Sequence, residues 1–248
     1  HADLTIANNV LAHVPDINDF VSGFGRLLKP HGVATFEFPH LLKLVEENQF
    51  DTIYHEHFSY LSLIAVEQVF EANGLEVFDV EELSTHGGSL RVLAQRKDTG
   101  IQPSTAAVES LREREEEAGM RTLAFYSDFQ PRAEAVKDDL LRFLVQAKHE
   151  GKTVAAYGAA AKGNTLLNFA GVRPDLIRQV ADKNPAKQGK YMPGSRIPIL
   201  PPDEVLATLP DYVLILPWNI AAEVREQWAA IAEWGGQFVT LIPNLEFK

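Results

Sequence analysis

The chain has no cysteine among its 248 residues. Disulfides and thiolate metal sites are therefore excluded within it, and a reducing compartment, the cytoplasm, suits it. It also lacks a cationic excess: 23 Lys and Arg stand against 34 Asp and Glu, a formal charge of −11. Nucleic acid is not expected as a partner, since gripping a phosphate backbone takes clustered Lys and Arg. No apolar run approaches the roughly 18 residues of a membrane span, and no signal peptide is legible. A membrane partner is therefore not expected either. There is no initiating Met: His1 runs straight into a strand-like segment, which predicts a piece of a longer chain. Oligomeric state leaves no trace in the sequence.

What is present is ordinary globular material, 46% hydrophobic and 23% charged, in a chain long enough for two cores. Leu4–Ala7 reads as a short strand ending at Asn8-Asn9. Asp16 can cap a helix whose apolar residues Phe20, Phe24, Leu27 and Leu28 recur at helical spacing, closed by Lys29-Pro30-His31-Gly32. Val33–Phe38 is the next strand, so the three form a βαβ unit and imply a parallel sheet. A loop or short helix spans residues 40–59, and a helix is expected over about 61–72. Strands 75–83 and 90–95, joined by a short turn, should pair antiparallel. After a polar stretch, two helices are expected over about 104–125 and 131–149. The run from Glu113 to Glu117 reads as a solvated helix face. Strands near 153–157, 178–181, 211–216 and 237–242 then alternate with helices that start near Lys162, Pro202 and Ala221. The expected class is α/β: a partial Rossmann-type domain over 1–98, a helical linker over 99–150 and a Rossmann-like domain over 151–248.

Three groups of residues carry chemistry. The turn Gly158-Ala159-Ala160-Ala161-Lys162-Gly163-Asn164 joins a strand to a helix N-terminus, where small residues, free amides and Lys162 suit a phosphate or diphosphate. Asn164 replaces the P-loop lysine, which argues against NTP hydrolysis. The absence of a strict GxGxxG argues against a nicotinamide cofactor. A tight packing turn is the bland alternative. Asp182, 24 positions beyond Gly158, suits a ribose hydroxyl or a loop cap, and Lys183 and Lys187 follow it.

The second group is Tyr54-His55-Glu56-His57, with His13, His40 and His86 in the same half of the chain. Imidazole can take a carbon-bound proton, a carboxylate can orient it and a phenol can hold an oxyanion. A metal site or a structural hydrogen-bonded cluster are the rivals, and the spacing is not HExxH. Third, Asn8, Asn9 and His13 leave the carboxyl end of a parallel strand, and His86-Gly87-Gly88 form a turn that a substrate can approach closely.

Together these segments resemble the sugar C-methyltransferases of deoxysugar biosynthesis. The resemblance runs through Ala7–Asp16, Phe36–His40, Tyr54–Ser62, His86–Arg91 and Tyr157–Thr165, in order and over nearly the whole chain. It implies methyl transfer from S-adenosylmethionine to the carbon beside the ketone of a nucleotide-diphosphate keto-sugar, through an enolate. It implies His57 as general base, Tyr54 and Glu56 as its partners, and His13 at the donor and substrate pocket. Ala7, Asn8 and Asn9 would touch the donor. His86, Gly87 and the Gly158–Asn164 turn (Gly158, Ala159, Ala160, Lys162, Gly163, Asn164), with Asp182, would touch the nucleotide-sugar. The family's zinc cysteines and Gly-rich donor loop have no counterpart here, so no metal is assigned to this chain. On this resemblance it begins at the fourth strand of the donor domain, with an open sheet edge. A nucleotide-sugar binding module and a nicotinamide-dependent oxidoreductase are the alternatives.

Overall fold

In the computed structural model, which describes residues 1–248, Ala2–Asn8 form strand β1 and Leu28–Pro39 form β2. The two run parallel, with Ala7 opposite Phe36. Helix α1, Ile17–Leu27, connects them and is started by Asp16, whose carboxylate accepts the Asp19 amide at 2.9 Å. The expected closing turn at Lys29–Gly32 is instead part of β2. Leu28 is fully buried opposite Ala2, and an irregularity in the register between Ala2 and Leu4 absorbs the extra residues.

Helix α2 covers Leu41–Glu46 and α3 covers Leu63–Ala72. The latter begins two residues later than its apolar pattern suggests, because the Ser62 hydroxyl accepts the Ala65 amide at 3.1 Å and caps it. Strands β3, Leu75–Leu83, and β4, Ser89–Arg96, pair antiparallel as their short connection requires. β4 also pairs with β2, so the sheet order is β1-β2-β4-β3. Phe36, Phe38, Phe70, Leu90 and Val92 are fully buried at its centre. β1 forms the edge and leaves Leu4 and Ile6 exposed.

The helix expected from 104 to 125 is two: α4, Ala106–Glu117, and α5, Leu123–Tyr126, separated where Gly119 takes a φ of +83°. Helix α6, Phe129–His149, follows. The chain divides into one unit of residues 1–46 and 55–128 and another of 47–54 and 129–248. The 99–150 segment is thereby shared out. Val108 and Leu111 of α4 bury in the first core, and Val136, Leu140 and Leu144 of α6 bury in the second.

The second unit continues through β5 (Val154–Tyr157), α7 (Ala161–Phe169), β6 (Val180–Ala181), β7 (Ile199–Leu200), α8 (Pro202–Leu206), β8 (Tyr212–Ile215), α9 (Ala221–Gln227), β9 (Gln237–Thr240) and β10 (Glu246–Phe247). Its sheet order is β10-β9-β8-β5-β6-β7, parallel except for the β9–β10 pair. The chain thus starts in the middle, winds outward through β6 and β7, then returns to the other side of β5. That is the doubly wound topology, with its switch point between β5 and β8. Each residue of β5 is buried: Val154 and Ala156 join one core, Ala155 and Tyr157 the other. The two-residue strands β7 and β10 are too short to show alternation in sequence. No helix is long and apolar enough to cross a membrane.

Candidate functional site

In the first unit, β1 delivers Ala7, Asn8 and Asn9 to its carboxyl end. Ala7 is buried and serves the core, while Asn8 is exposed. Asn9 takes a left-handed φ of 55°, and its amide donates to the Glu37 carbonyl oxygen at 2.8 Å. Asn8 and Asn9 thus bring side-chain amides to this end of the strand, while the Ala7 side chain brings no polar group. A single 3-10 turn, Leu11–His13, then places His13. Its ring packs edge-on to His57 with centroids 4.7 Å apart. Its Nδ1 lies 2.9 Å from the Glu56 carbonyl oxygen. A carbonyl only accepts, so Nδ1 carries the proton and Nε2 of the neutral ring is left as an acceptor.

The segment around His57 is held by the main chain. The amides of Phe58 and Ser59 both donate to the Ala12 carbonyl, at 2.8 and 3.3 Å. Tyr60 lies edge-on to His57 at 6.0 Å. His55 and Glu56 project into solvent, and Glu56 reaches His13 through its carbonyl rather than its carboxylate. Tyr54 belongs to the other unit. No third His, Asp or Glu joins the pair in a group that would hold a metal ion.

Nearby, Glu37 is buried at the end of β2. It accepts the Thr85 hydroxyl at 3.1 Å and the Arg91 guanidinium at 3.0 Å. Thr85–Gly87 form the expected turn between β3 and β4, with non-helical dihedrals inside it. His86 is exposed at φ 57°, and Gly87 and Gly88 follow at 90° and 113°. His40 proves structural: its Nε2 donates to Glu115 at 2.8 Å in the core. Glu115 is itself a correction to the solvated-face reading. It is fully buried and also accepts the amides of Leu63 and Ile64 at 2.7 and 2.9 Å, capping α3.

In the second unit the Gly158–Asn164 turn sits at the carboxyl end of β5, beside the switch point. Its two glycines make room for protein. A Cβ on Gly158 (φ +93°) would lie 2.5 Å from Pro217, and one on Gly163 would lie 2.7 Å from Leu216. The α7 N-terminus has no side-chain cap, and the first amides of a helix have no partner within it. Beside it lies a cleft of about 360 Å³ lined by Ala159–Ala161, Asn164, Lys187, Lys190 and Tyr191. Lys162 is not in that lining. Its ammonium stands 4.3 Å from the Trp218 ring centroid and donates to Asn219 at 3.2 Å.

Asp182 organises its own loop. It accepts the amides of Ala159 and Asn184, each at 2.8 Å, and Lys187 at 3.2 Å. Lys187 also donates to the Ala159 carbonyl at 2.8 Å, tying the Asp182 loop to the glycine turn.

Sequence reasoning missed Asp51, Trp218 and Asn219. Asp51 is fully buried, with one oxygen accepting the Trp218 indole N–H at 2.8 Å and the other without a partner. Burial pushes its carboxyl up to about 6, against the pull of Trp218 and the Lys162 charge. Burial likewise pushes the Lys162 ammonium down, and Asp51 opposes this. The signal for Trp218 was available: Pro217-Trp218-Asn219 exits a parallel strand at its carboxyl end, where ligands gather in such sheets.

Two family models match successive parts of the chain and meet between β3 and β4, inside the first unit. A family described as "Methyltransferase domain" matches residues 1–80. The C-methyltransferase NovU of Streptomyces niveus is 40% identical over 243 residues, which is 98% of this chain and 58% of that protein. The chain therefore spans somewhat over half the length of that relative. Among solved structures, a methyltransferase complex with the Haloferax volcanii Trm112 activator superposes with a TM-score of 0.33 at 12% identity. It covers 41% of this chain and 54% of that one. A SAM-dependent methyltransferase of Methanosarcina mazei gives 0.29 at 15% identity, over 38% and 58%. Both superpositions are too partial to carry weight. The family described as "C-methyltransferase C-terminal domain" matches residues 84–243, well over half the chain, and the protein belongs to that family.

Proposed function

We propose that the chain supplies the acid/base and nucleotide-holding parts of an S-adenosylmethionine-dependent C-methyltransferase acting beside the ketone of a nucleotide-diphosphate keto-sugar, in the cytoplasm. The observation that supports this best is the meeting of His13 and His57, ring centroids 4.7 Å apart, beyond the carboxyl end of β1. Imidazoles 44 positions apart in sequence are brought together where an open parallel sheet binds its ligands.

In this reading His57 removes the proton from the carbon next to the ketone, and the electron pair moves onto the ketone oxygen. The family resemblance gives a tyrosine, Tyr54 in this sequence, the part of donating to that oxygen as charge builds. His13 keeps His57 in place and offers Nε2 as a second acceptor. Glu56 fixes the His13 tautomer through its carbonyl. S-adenosylmethionine supplies the electrophilic methyl group when bound, and Asn8 and Asn9 are the residues of this chain suited to hold part of it. The diphosphate lies against the α7 N-terminus, with Lys187 and Lys190 alongside.

The test is methyl transfer by the intact protein. His57→Ala should lower turnover by about 10²–10⁴-fold, and near-wild-type turnover overturns the assignment. The doubly wound order of the second unit also suits a plain nucleotide-sugar binding module. Calorimetry separates the two: under the proposed reading the intact protein binds both the nucleotide diphosphate and S-adenosylmethionine, while a binding module takes the nucleotide alone.

A further inference from the structure

Three consecutive residues, His86, Gly87 and Gly88, sit at φ of 57°, 90° and 113°. A histidine in the left-handed region persists only where its surroundings hold it, and such strain gathers at ligand sites. The hold begins at Glu37. One carboxylate oxygen accepts the Thr85 hydroxyl at 3.1 Å, and Thr85 opens the strained loop. The Thr85 carbonyl in turn takes the Gly88 amide at 2.9 Å and the Ser89 hydroxyl at 3.1 Å, which closes the loop. From the other side, the Glu37 carbonyl oxygen accepts the amide of Asn9, itself at φ 55°. One residue therefore ties down both the Asn8–Asn9 turn and the Thr85–Gly88 loop.

The bland account is a cross-strand ion ladder. Arg91 faces Glu37 on one neighbouring strand and Glu81 on the other, at 3.0 and 3.2 Å. That explains Arg91 but not Thr85. Nor does it explain a carboxylate only 5% exposed on a strand whose neighbours Phe36 and Phe38 are fully buried. Burying a charge there is costly unless both oxygens are used. Here one is spent on the ladder and one on the loop.

We propose that Glu37 is a positioning residue: it fixes the loop that presents His86 and Gly87 to the nucleotide-sugar. This rests on the C-methyltransferase reading above. It assigns Glu37 and Thr85 to sugar affinity, and leaves donor affinity to the main-chain contact with Asn9, which side-chain replacement spares.

The experiment compares Glu37→Gln, Thr85→Val, Thr85→Ser and Glu81→Gln in the intact protein. Glu37→Gln and Thr85→Val should each raise the KM for the nucleotide-sugar about tenfold while kcat and the KM for S-adenosylmethionine change less than about threefold. Thr85→Ser should restore the wild-type KM, and Glu81→Gln, which breaks only the ladder, should leave it unchanged. A second readout is independent of the reaction: the Gly88 amide should exchange with solvent about tenfold faster in Glu37→Gln and Thr85→Val. Unchanged Gly88 exchange overturns the proposal. So does faster exchange with an unchanged sugar KM, or an equal rise in KM from Glu81→Gln. A wild-type protein that transfers no methyl group sinks the enzymatic reading instead, and the exchange result still decides whether Glu37 holds the loop. Should Glu37→Gln fail to fold, Thr85→Val on the exposed side carries the same test.

Discussion

The indole N–H of Trp218 donates to the carboxylate of Asp51 at 2.8 Å, joining residues 167 positions apart at the carboxyl end of the second sheet. The other Asp51 oxygen is buried without a partner, so the ionised form is poorly solvated.

This has a pH signature. The folded carboxyl binds its proton more tightly than the unfolded one, at about 6 against 3.8. Its contribution to stability is therefore most favourable below about pH 4 and is lost as pH rises to about 6, a change of about 3 kcal/mol. Asp51→Asn keeps an acceptor for Trp218 and removes the charge. It should be more stable than wild type by roughly 1–3 kcal/mol at pH 7–8, with the gain vanishing near pH 4. Urea melts of both proteins at pH 4, 6 and 8 measure this. A destabilised variant at pH 8 refutes it.

Glu115 should behave in the opposite way. It accepts from His40, Leu63 and Ile64 at once, and removing it leaves three buried donors unsatisfied. Glu115→Ala is expected to cost about 3–5 kcal/mol. Glu115→Gln, which keeps one accepting oxygen, should cost about 1–2 kcal/mol. Denaturant midpoints for the two variants give the ranking, and equal losses would contradict it.

The glycines of the β5–α7 turn differ from a turn glycine elsewhere. Gly163→Ala drives a methyl to 2.7 Å from Leu216, and Gly158→Ala adds an unfavourable φ to a 2.5 Å approach to Pro217. Each should cost about 1–3 kcal/mol, with Gly158→Ala the larger. Gly151→Ala, at φ +72° with nothing within 4 Å, should cost only about 1 kcal/mol. Thermal melts of all three check the order.

Lys190 lines the cleft beside the α7 N-terminus. Lys190→Glu should weaken binding of a nucleoside diphosphate by about tenfold or more at low salt, and by less in high salt, where charge is screened. Lys162→Ala should weaken it less, because that ammonium is engaged with Trp218 and Asn219 outside the cleft lining. Titration calorimetry at two ionic strengths decides it, and the reverse order would return Lys162 to the diphosphate.

Much of the framework was legible because it is written in local periodicity. Asp16 with its amphipathic followers marks α1, and Val154–Tyr157 reads as a buried strand without any partner in view. The short 84–88 connection forces an antiparallel pair. The failures share one cause. Glu115 looks like one of five charges on a solvated helix, yet its partners are 75, 52 and 51 positions away. Likewise Asp51 shows no local sign of burial, since Trp218 reaches it only through the sheet topology.

The sequence by itself determined the α/β class, the parallel βαβ start and the two polar turns at strand ends. These follow from hydrophobic period and capping chemistry, which act over a few residues. Tertiary structure alone decided that His13 meets His57, that Gly158 and Gly163 accommodate Pro217 and Leu216, and that Glu37 secures two loops at once. Burial and hydrogen-bond partnership depend on which distant strands become neighbours. A carboxylate's neighbours across a sheet are fixed by strand order, and no local pattern encodes that order.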